Sequence, residues 1–456
     1  MTGPARSSRH AIGLHYQPSA IAAGNRAHLR FGVSLMPPAP SGPFFWYNAS
    51  CRFGRNRGAN QAQPETGFGA ESGTEQPRFR ACFPRMHPVK DNASPFRARQ
   101  ERLLTLLEKK GIRRLVITQP ANIFYLTGFR GSAGVALFSA SDESRLWVDP
   151  RYALQAREQA QGVRVKEERT ALLKSVGQWL GRRRMGRAGR VGFEDSHLTC
   201  TALTTLQEAA GGSVRFEPAG GLVEELRAVK DSGEIDLLRR AASLTGRVLD
   251  GLRAKVCPGV RESDLAAEIE YRMRLEGADG AAFATIVASG PRAALPHART
   301  SAKEIKRNEL VIVDLGAILA GYAADMTRTF FTGRPTRRIR SFYEAVREAQ
   351  QGAIESVKVG AKAGKVDRAA RLELDRRGLG KYFTHSTGHG VGLDVHEAPR
   401  LARGQKQQLQ VGYVVAVEPG IYLEGLGGVR IEDTVLVGND GPELLTLSTK
   451  ADWFIE

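Results

Sequence analysis

Cysteine is scarce, with 4 in 456 residues (Cys51, Cys82, Cys200 and Cys257), widely spaced and without a Cys-x-x-Cys pair. That spacing excludes a thiolate zinc site and a disulfide-stapled scaffold, and it fits a reducing compartment. Long apolar runs are missing too, none reaching the about 18 residues that a membrane-spanning helix needs. No membrane partner is expected. Acidic residues are absent before Glu65. Residues 1–95 hold 11 Lys and Arg against 4 Asp and Glu, a net +7 of the chain's +18, in a stretch crowded with Gly, Pro, Ser and Asn. With no helical or strand period, it reads as a disordered basic extension. An organelle transit peptide and an over-long start upstream of Met86 are open alternatives. A nucleic-acid arm is disfavoured, because Lys90 is its one lysine and no aromatic platform is interleaved with its arginines.

The length predicts two to three domains. Leu103, Leu104, Leu106 and Leu107 mark a helix face that stops at Gly111. Strands over Arg113–Thr118, Val135–Phe138 and Arg145–Val148, with helical stretches near 151–160 and 170–184, give an alternating α/β domain over residues 96–228. A helix over Ser232–Ala254, which Ser232 could cap, opens a second domain over 232–456. This second domain carries a faint internal repeat. Pro258-Gly-Val-Arg-Glu-Ser-Asp264-Leu-Ala-Ala returns loosely as Val359-Gly-Ala and Val366-Asp367-Arg-Ala-Ala, just over a hundred residues on. Asp264 and Asp367 are candidate helix caps.

Each half then supplies two carboxylates from a predicted hairpin. Leu310-Val-Ile-Val-Asp314 and Asp325-Met-Thr-Arg-Thr flank Gly321, and a hairpin centred between Leu319 and Ala320 would set Asp314 opposite Asp325. A second hairpin centred on Gly425 would set Glu418 opposite Glu432. Paired acids in apolar strands repel unless a cation neutralises them. Either pair alone could be a surface hairpin; two pairs at matching places in related halves point inward. Between them, His385, His389 and His396 are three of nine histidines within one short glycine-rich run, and His297 holds the corresponding place in the first half. Each histidine alone reads as a satisfied structural residue, and the cluster does not. Four carboxylates and one imidazole suit two Mn, Co, Fe or Zn ions better than a soft-metal site.

Taken together, Asp314 in Asp-x-Gly, Asp325 in Asp-Met-Thr-Arg-Thr, His389 in Gly-His-Gly-Val-Gly-Leu-Asp-Val-His, Glu418 in Glu-Pro-Gly-Ile-Tyr and Glu432 in Arg-Ile-Glu-Asp resemble the pita-bread metallopeptidases, in their aminopeptidase P and prolidase branch. The resemblance covers about residues 96–456, since the segment around Ala121-Asn-Ile-Phe-Tyr-Leu-Thr-Gly128 is similar to that branch's N-terminal domain. It implies an α+β fold, a pita-bread catalytic domain of two pseudo-symmetric halves behind a creatinase-like α/β N-terminal domain. It makes Asp314, Asp325, His389, Glu418 and Glu432 the ligands of two divalent ions, Mn ahead of Co, Fe or Zn, with Asp325 and Glu432 linking both. It further implies Glu418 as general base, and His297 and His396 as groups that hold the substrate carbonyl and the tetrahedral intermediate and help move the proton. His385 would line the proline-side pocket, and Arg430 and Tyr422 would orient Asp314.

The implied substrate is a peptide with proline second. An Xaa-Pro aminopeptidase is expected first and an Xaa-Pro dipeptidase second, ahead of a methionine aminopeptidase and of a non-catalytic scaffold using the basic surplus for protein or nucleic acid. The full ligand set argues against the metal-free creatinase relatives. A homodimer is expected, in the cytoplasm unless the Arg-rich leader directs the chain to an organelle.

Overall fold

Leu115, Val116 and Ile117 follow one another, and the alternation of a strand sends them to opposite faces. Leu115 and Ile117 pack with Leu103, Leu107, Ile123 and Phe138, whereas Val116 packs with Trp147, Val176 and Leu206. A strand buried on both sides needs helices on both. That is what the computed structural model shows; it describes residues 94–182, 190–212 and 214–456, and the basic leader read above as disordered lies outside them. Among the described residues six strands, β1 (Arg114–Ile117), β2 (Val135–Ser139), β3 (Arg145–Val148), β4 (Arg164–Glu167), β5 (Arg190–Phe193) and β6 (Arg215–Pro218), form a mixed sheet in the order β4-β3-β2-β1-β5-β6. Helices Pro95–Lys109, Pro120–Thr127 and Leu222–Ala228 cover one face, and Leu172–Gly181 and Cys200–Ala210 the other.

The helix Ser232–Leu252 follows. Its cap is Asp231 rather than Ser232: the Asp231 carboxylate accepts from the Glu234 amide at 2.9 Å, and the Glu234 carboxylate accepts from the Asp231 amide at 3.0 Å. A reciprocal box of this kind satisfies two orphan donors where a lone serine satisfies one. Asp264 and Asp367 do not cap either. Their helices run Glu262–Leu275 and Ala363–Arg376, placing both aspartates inside.

The repeat is real in the backbone. Each of those helices is preceded by a one-residue bridge, Arg261 to Glu304 and Lys362 to Gln408, and each is partnered by a longer helix, Ser232–Leu252 or Arg337–Glu355. In the first half β7 (Gly280–Ala281), β8 (Ile286–Ser289), β9 (Leu310–Leu315), β10 (Ala317–Leu319), β11 (Tyr322–Ala323) and β12 (Met326–Thr332) place β9 between β8 and β12. In the second, β13 (Gly388–Gly390), β14 (Glu397–Leu401), β15 (Val414–Val417), the hairpin β16 (Gly420–Leu423) and β17 (Gly427–Arg430), and β18 (Asp433–Gly438) place β15 between β13 and β18. Helices pack outside and acids point inside. Val311, Val313 and Leu315 join the core beneath Ser232–Leu252 and Glu262–Leu275, leaving Asp314 on the other face of β9.

Candidate metal centre

The two hairpins place their acids differently. Residues of β15 and β16 pair with those of β18 and β17 in one continuous register about Gly425, so Glu418 and Glu432 stand opposite each other at the junction of two ladders, as the sequence predicts. In the first half Leu319 pairs with Tyr322, and Asp314 with Thr327. The turn is therefore Ala320-Gly321, one residue later than expected, and Asp325 does not lie directly across from Asp314. Both turn residues have positive φ, 53° at Ala320 and 88° at Gly321, the pair that a tight two-residue hairpin turn demands. An alanine there gives no warning in the sequence.

Asp325 and Glu432 nevertheless meet His389: one ligand atom from each of the three lies within 4.8 Å of the others. His389 sits on β13 with Nδ1 at 3.1 Å from the Gly390 carbonyl oxygen. Only a protonated Nδ1 can bond a carbonyl, so Nε2 keeps its lone pair, facing Asp325 Oδ2 at 3.7 Å and Glu418 Oε1 at 3.8 Å. Burial, then the neighbouring His396, lowers the His389 pKa to about 4. The imidazole is a neutral ligand-ready base at ordinary pH. Burial, then the charges of Glu432, Asp314 and Glu418, pushes the Asp325 carboxyl well above the usual range. Burial, then Glu418 and Asp314, does the same to Glu432. Glu418 is pushed up to about 7 by burial, with Asp314 adding to the shift and Arg430 opposing it. Asp314 Oδ1 and Glu432 Oε1 are buried without a hydrogen-bond partner among the described residues. Buried carboxylate oxygens left bare are costly. A divalent cation would relieve all of these at once, so the donor set fits a metal.

Arg430 ties the halves together behind the acids. Its Nη2 donates to Asp314 Oδ2 at 2.6 Å, Nη1 to the Pro296 carbonyl at 3.0 Å and to the Tyr422 hydroxyl at 2.9 Å, and Nε to Thr327 Oγ1 at 3.2 Å. His385 Nδ1 bonds the Ser386 carbonyl, so its Nε2, 2.9 Å from the Tyr422 hydroxyl, accepts that proton. His385 thus closes a chain from Arg430 through Tyr422, the residue the sequence pairs with Arg430. His396 is exposed, its ring 4.3 Å from that of His389, and His297 is exposed next to Pro296, whose carbonyl Arg430 holds.

Sequence reasoning missed several supports. Thr327 donates to Glu432 Oε2 at 2.7 Å; its place two residues after Asp325, at the start of β12, is the available signal. Asp367, buried, accepts from the amide and hydroxyl of Thr387, while its partner Arg371 donates to the His385 carbonyl. Asp433, adjacent to Glu432 and fully buried, serves structure. It accepts from Arg328, Gln350 and Thr446, and although burial opposes its charge, Arg328 and Lys450 hold its carboxyl below the usual range.

An α+β catalytic unit of two related halves, with buried acids and one imidazole at its centre, defines a metallopeptidase-type scaffold. Comparison with known proteins agrees. Residues 236–439 match the family described as metallopeptidase family M24, and residues 99–229 match the creatinase/prolidase N-terminal domain. The Xaa-Pro dipeptidase of Pyrococcus furiosus is 35% identical over 348 residues, 76% of this chain and 97% of that protein. The solved structure of an Xaa-Pro dipeptidase from Bacillus anthracis is 36% identical with a TM-score of 0.75, covering 79% of this chain and 100% of that one. An X-Pro aminopeptidase from Thermotoga maritima is 33% identical with a TM-score of 0.71, covering 78% and 100%. The chain belongs to metallopeptidase family M24, with the pita-bread and creatinase-like architecture that the sequence motifs imply.

Proposed function

We propose that this chain is an Xaa-Pro dipeptidase, which hydrolyses the imido bond of Xaa-Pro dipeptides with two divalent ions, Mn ahead of Co, Fe or Zn. The observation that carries the hydrolytic reading is the meeting of Asp325, Glu418 and Glu432 at the bare Nε2 of His389, with the Asp314 charge acting on all three acids and two carboxylate oxygens unpartnered among the described residues. The dipeptidase reading precedes the aminopeptidase one, which the family resemblance alone puts first. Relatives at 35% and 36% identity carry the dipeptidase name, and the aminopeptidase stands at 33%.

Asp314, Asp325, His389, Glu418 and Glu432 would hold the metal. Bound there, it supplies an acidified water and a Lewis acid for the carbonyl. The residues do the remainder. Glu418 would take the water proton and return it to the proline nitrogen, which lacks an N–H and must be protonated to leave. His297 and His396 steady the carbonyl oxygen as charge builds on it. Arg430 fixes the Asp314 carboxylate through its Nη2 bond, and the Tyr422 hydroxyl orients the His385 ring.

The test is a comparison of initial rates on Gly-Pro and Gly-Pro-Xaa with added Mn²⁺. Cleavage confined to the dipeptide is expected, and lost in Asp325→Asn. Tripeptide cleavage at equal or higher kcat/KM would move the assignment to an aminopeptidase, and no hydrolysis of either peptide by the metal-loaded chain would overturn the peptidase reading.

A further inference from the structure

The N-terminal domain has no residue among the predicted ligands, yet its helix Pro120–Thr127, the segment carrying Ala121-Asn-Ile-Phe-Tyr-Leu-Thr-Gly128, is wired toward the centre. Asn122 is fully buried and donates to Glu194 Oε1 at 2.6 Å inside its own domain. Its side-chain oxygen Oδ1 accepts from Arg227 Nη1 at 2.8 Å. Arg227 lies just before the catalytic domain with a side chain 2% exposed. Its other nitrogen, Nη2, donates to Asp394 Oδ2 at 2.7 Å and Glu397 Oε1 at 2.6 Å. Gln119 adds a bond to Asp394 at 3.2 Å, and Lys230 one to Glu397 Oε2 at 3.4 Å.

Asp394 and Glu397 bracket His396. The Asp394 amide donates to Glu397 Oε1 at 3.0 Å, and the Gly392 amide to the Asp394 carbonyl at 3.0 Å, so the loop is wound around the Glu397 carboxylate that Arg227 grips. A Cβ on Gly392 would stand 2.5 Å from Glu397 Oε1, so a larger residue there would have to displace the carboxylate that Arg227 holds. The same loop is stitched to β11, where the Ala323 amide donates to the Gly392 carbonyl at 2.8 Å, two residues before Asp325. A buried ion pair is a poor source of net stability, since desolvation consumes most of its attraction. What a forked guanidinium with three fixed acceptors does supply is geometry.

We infer that Arg227 is a positioning residue: anchored on Asn122 of the N-terminal domain, it holds the Gly392–Glu397 loop so that His396 is set against His389 at the reaction centre. This rests on the proposed Xaa-Pro hydrolysis with His396 at the substrate. The N-terminal domain is then part of the catalytic geometry, and loosening its tether slows turnover without removing any group that touches substrate.

The experiment uses the full metal-loaded chain in four variants: Arg227→Lys, which keeps the charge and loses the fork; Asn122→Ala; Asp394→Asn at the half-exposed end of the network; and Arg239→Ala as a surface control. Steady-state kinetics on Gly-Pro are read beside amide hydrogen exchange at residues 392–397. Arg227→Lys is expected to lower kcat about 10- to 100-fold with KM changed by less than about threefold. Asn122→Ala and Asp394→Asn should give smaller falls in the same direction. All three should speed exchange at Gly392 and Asp394, and the control should match wild type in both. An unchanged kcat in a folded Arg227→Lys variant, or wild-type exchange in the loop, overturns the proposal. Should Arg227→Lys fail to fold, Asn122→Ala and Asp394→Asn decide by the same two readouts. Should wild type hydrolyse no Xaa-Pro peptide, the proposed function fails, and unchanged exchange would separately overturn the tether.

Discussion

Arg430 does at the residue level what the metal centre needs from outside it. Burial works against its charge, but Tyr422, Asp314 and Glu418 hold its pKa well above the ordinary value. It is a permanent cation beside Asp314. Tyr422 accepts from it and donates onward to His385, whose pKa burial lowers to about 4, so the imidazole is neutral and able to accept above about pH 5. Tyr422→Phe removes the hydroxyl that links Arg430 to His385. Arg430 Nη1 keeps its bond to the Pro296 carbonyl, so the expected stability loss is only about 1 to 2 kcal/mol. Activity should fall about 10-fold, the lower end of the range for groups behind a metal ligand, because Tyr422 reaches the proposed ligand Asp314 only through Arg430. Thermal unfolding and kcat on Gly-Pro, measured side by side, separate the two effects, and an unchanged kcat would place the Arg430–Tyr422–His385 link outside catalysis.

At the scale of elements the decisive strand is β13, which carries His389 between β14 and β15. A Cβ on Gly388 would lie 1.8 Å from the Ala416 carbonyl oxygen, and one on Gly390 2.1 Å from that of Ala398. Neither neighbour is a flexible side chain. Gly390→Ala must therefore push backbone apart beside His389; we expect about 1 to 3 kcal/mol of destabilisation in denaturant titration and a lower bound-metal content in the purified protein. This strand also shows how far a sequence carries. The glycines around His389 and the register about Gly425 are legible, because glycine chemistry and two-residue periodicity act locally. The first hairpin slips by one position because Ala320 takes a φ of 53° that alanine does not advertise. The caps are misread at Ser232, Asp264 and Asp367 because capping depends on where the preceding chain enters. Asp367 is instead claimed by Thr387 inside the second half, and Arg430 by Pro296 across the halves, contacts between residues far apart in sequence that exist only once the chain has folded.

Across the whole molecule, a chain of net charge +18 encloses a centre made of acids, and this makes its stability depend on pH in a direction that can be worked out. Asp325, Glu432 and Glu418 have folded pKa values raised above the unfolded ones, with Glu418 at about 7. Such groups favour the folded state below their unfolded pKa, and that contribution is lost as pH rises through the folded value. His385 and His389, lowered from 6.5 to about 4, act in the opposite sense: their contribution is full above 6.5 and is lost as pH falls toward 4. Below 6.5 the two sets oppose each other; above it only the carboxylates still change. The chelator-treated protein should therefore lose about 1 to 3 kcal/mol between about pH 6.5 and about pH 8. Added Mn²⁺ should restore it at the upper pH, because a cation then replaces the protons that the acids have released. Urea midpoints measured at both pH values, with EDTA and with Mn²⁺, check this, and Glu418→Gln should flatten the EDTA slope. A midpoint that rises across this window in EDTA would mean that the four acids tolerate one another without a cation, and the electrostatic case for a bound metal would fall with it.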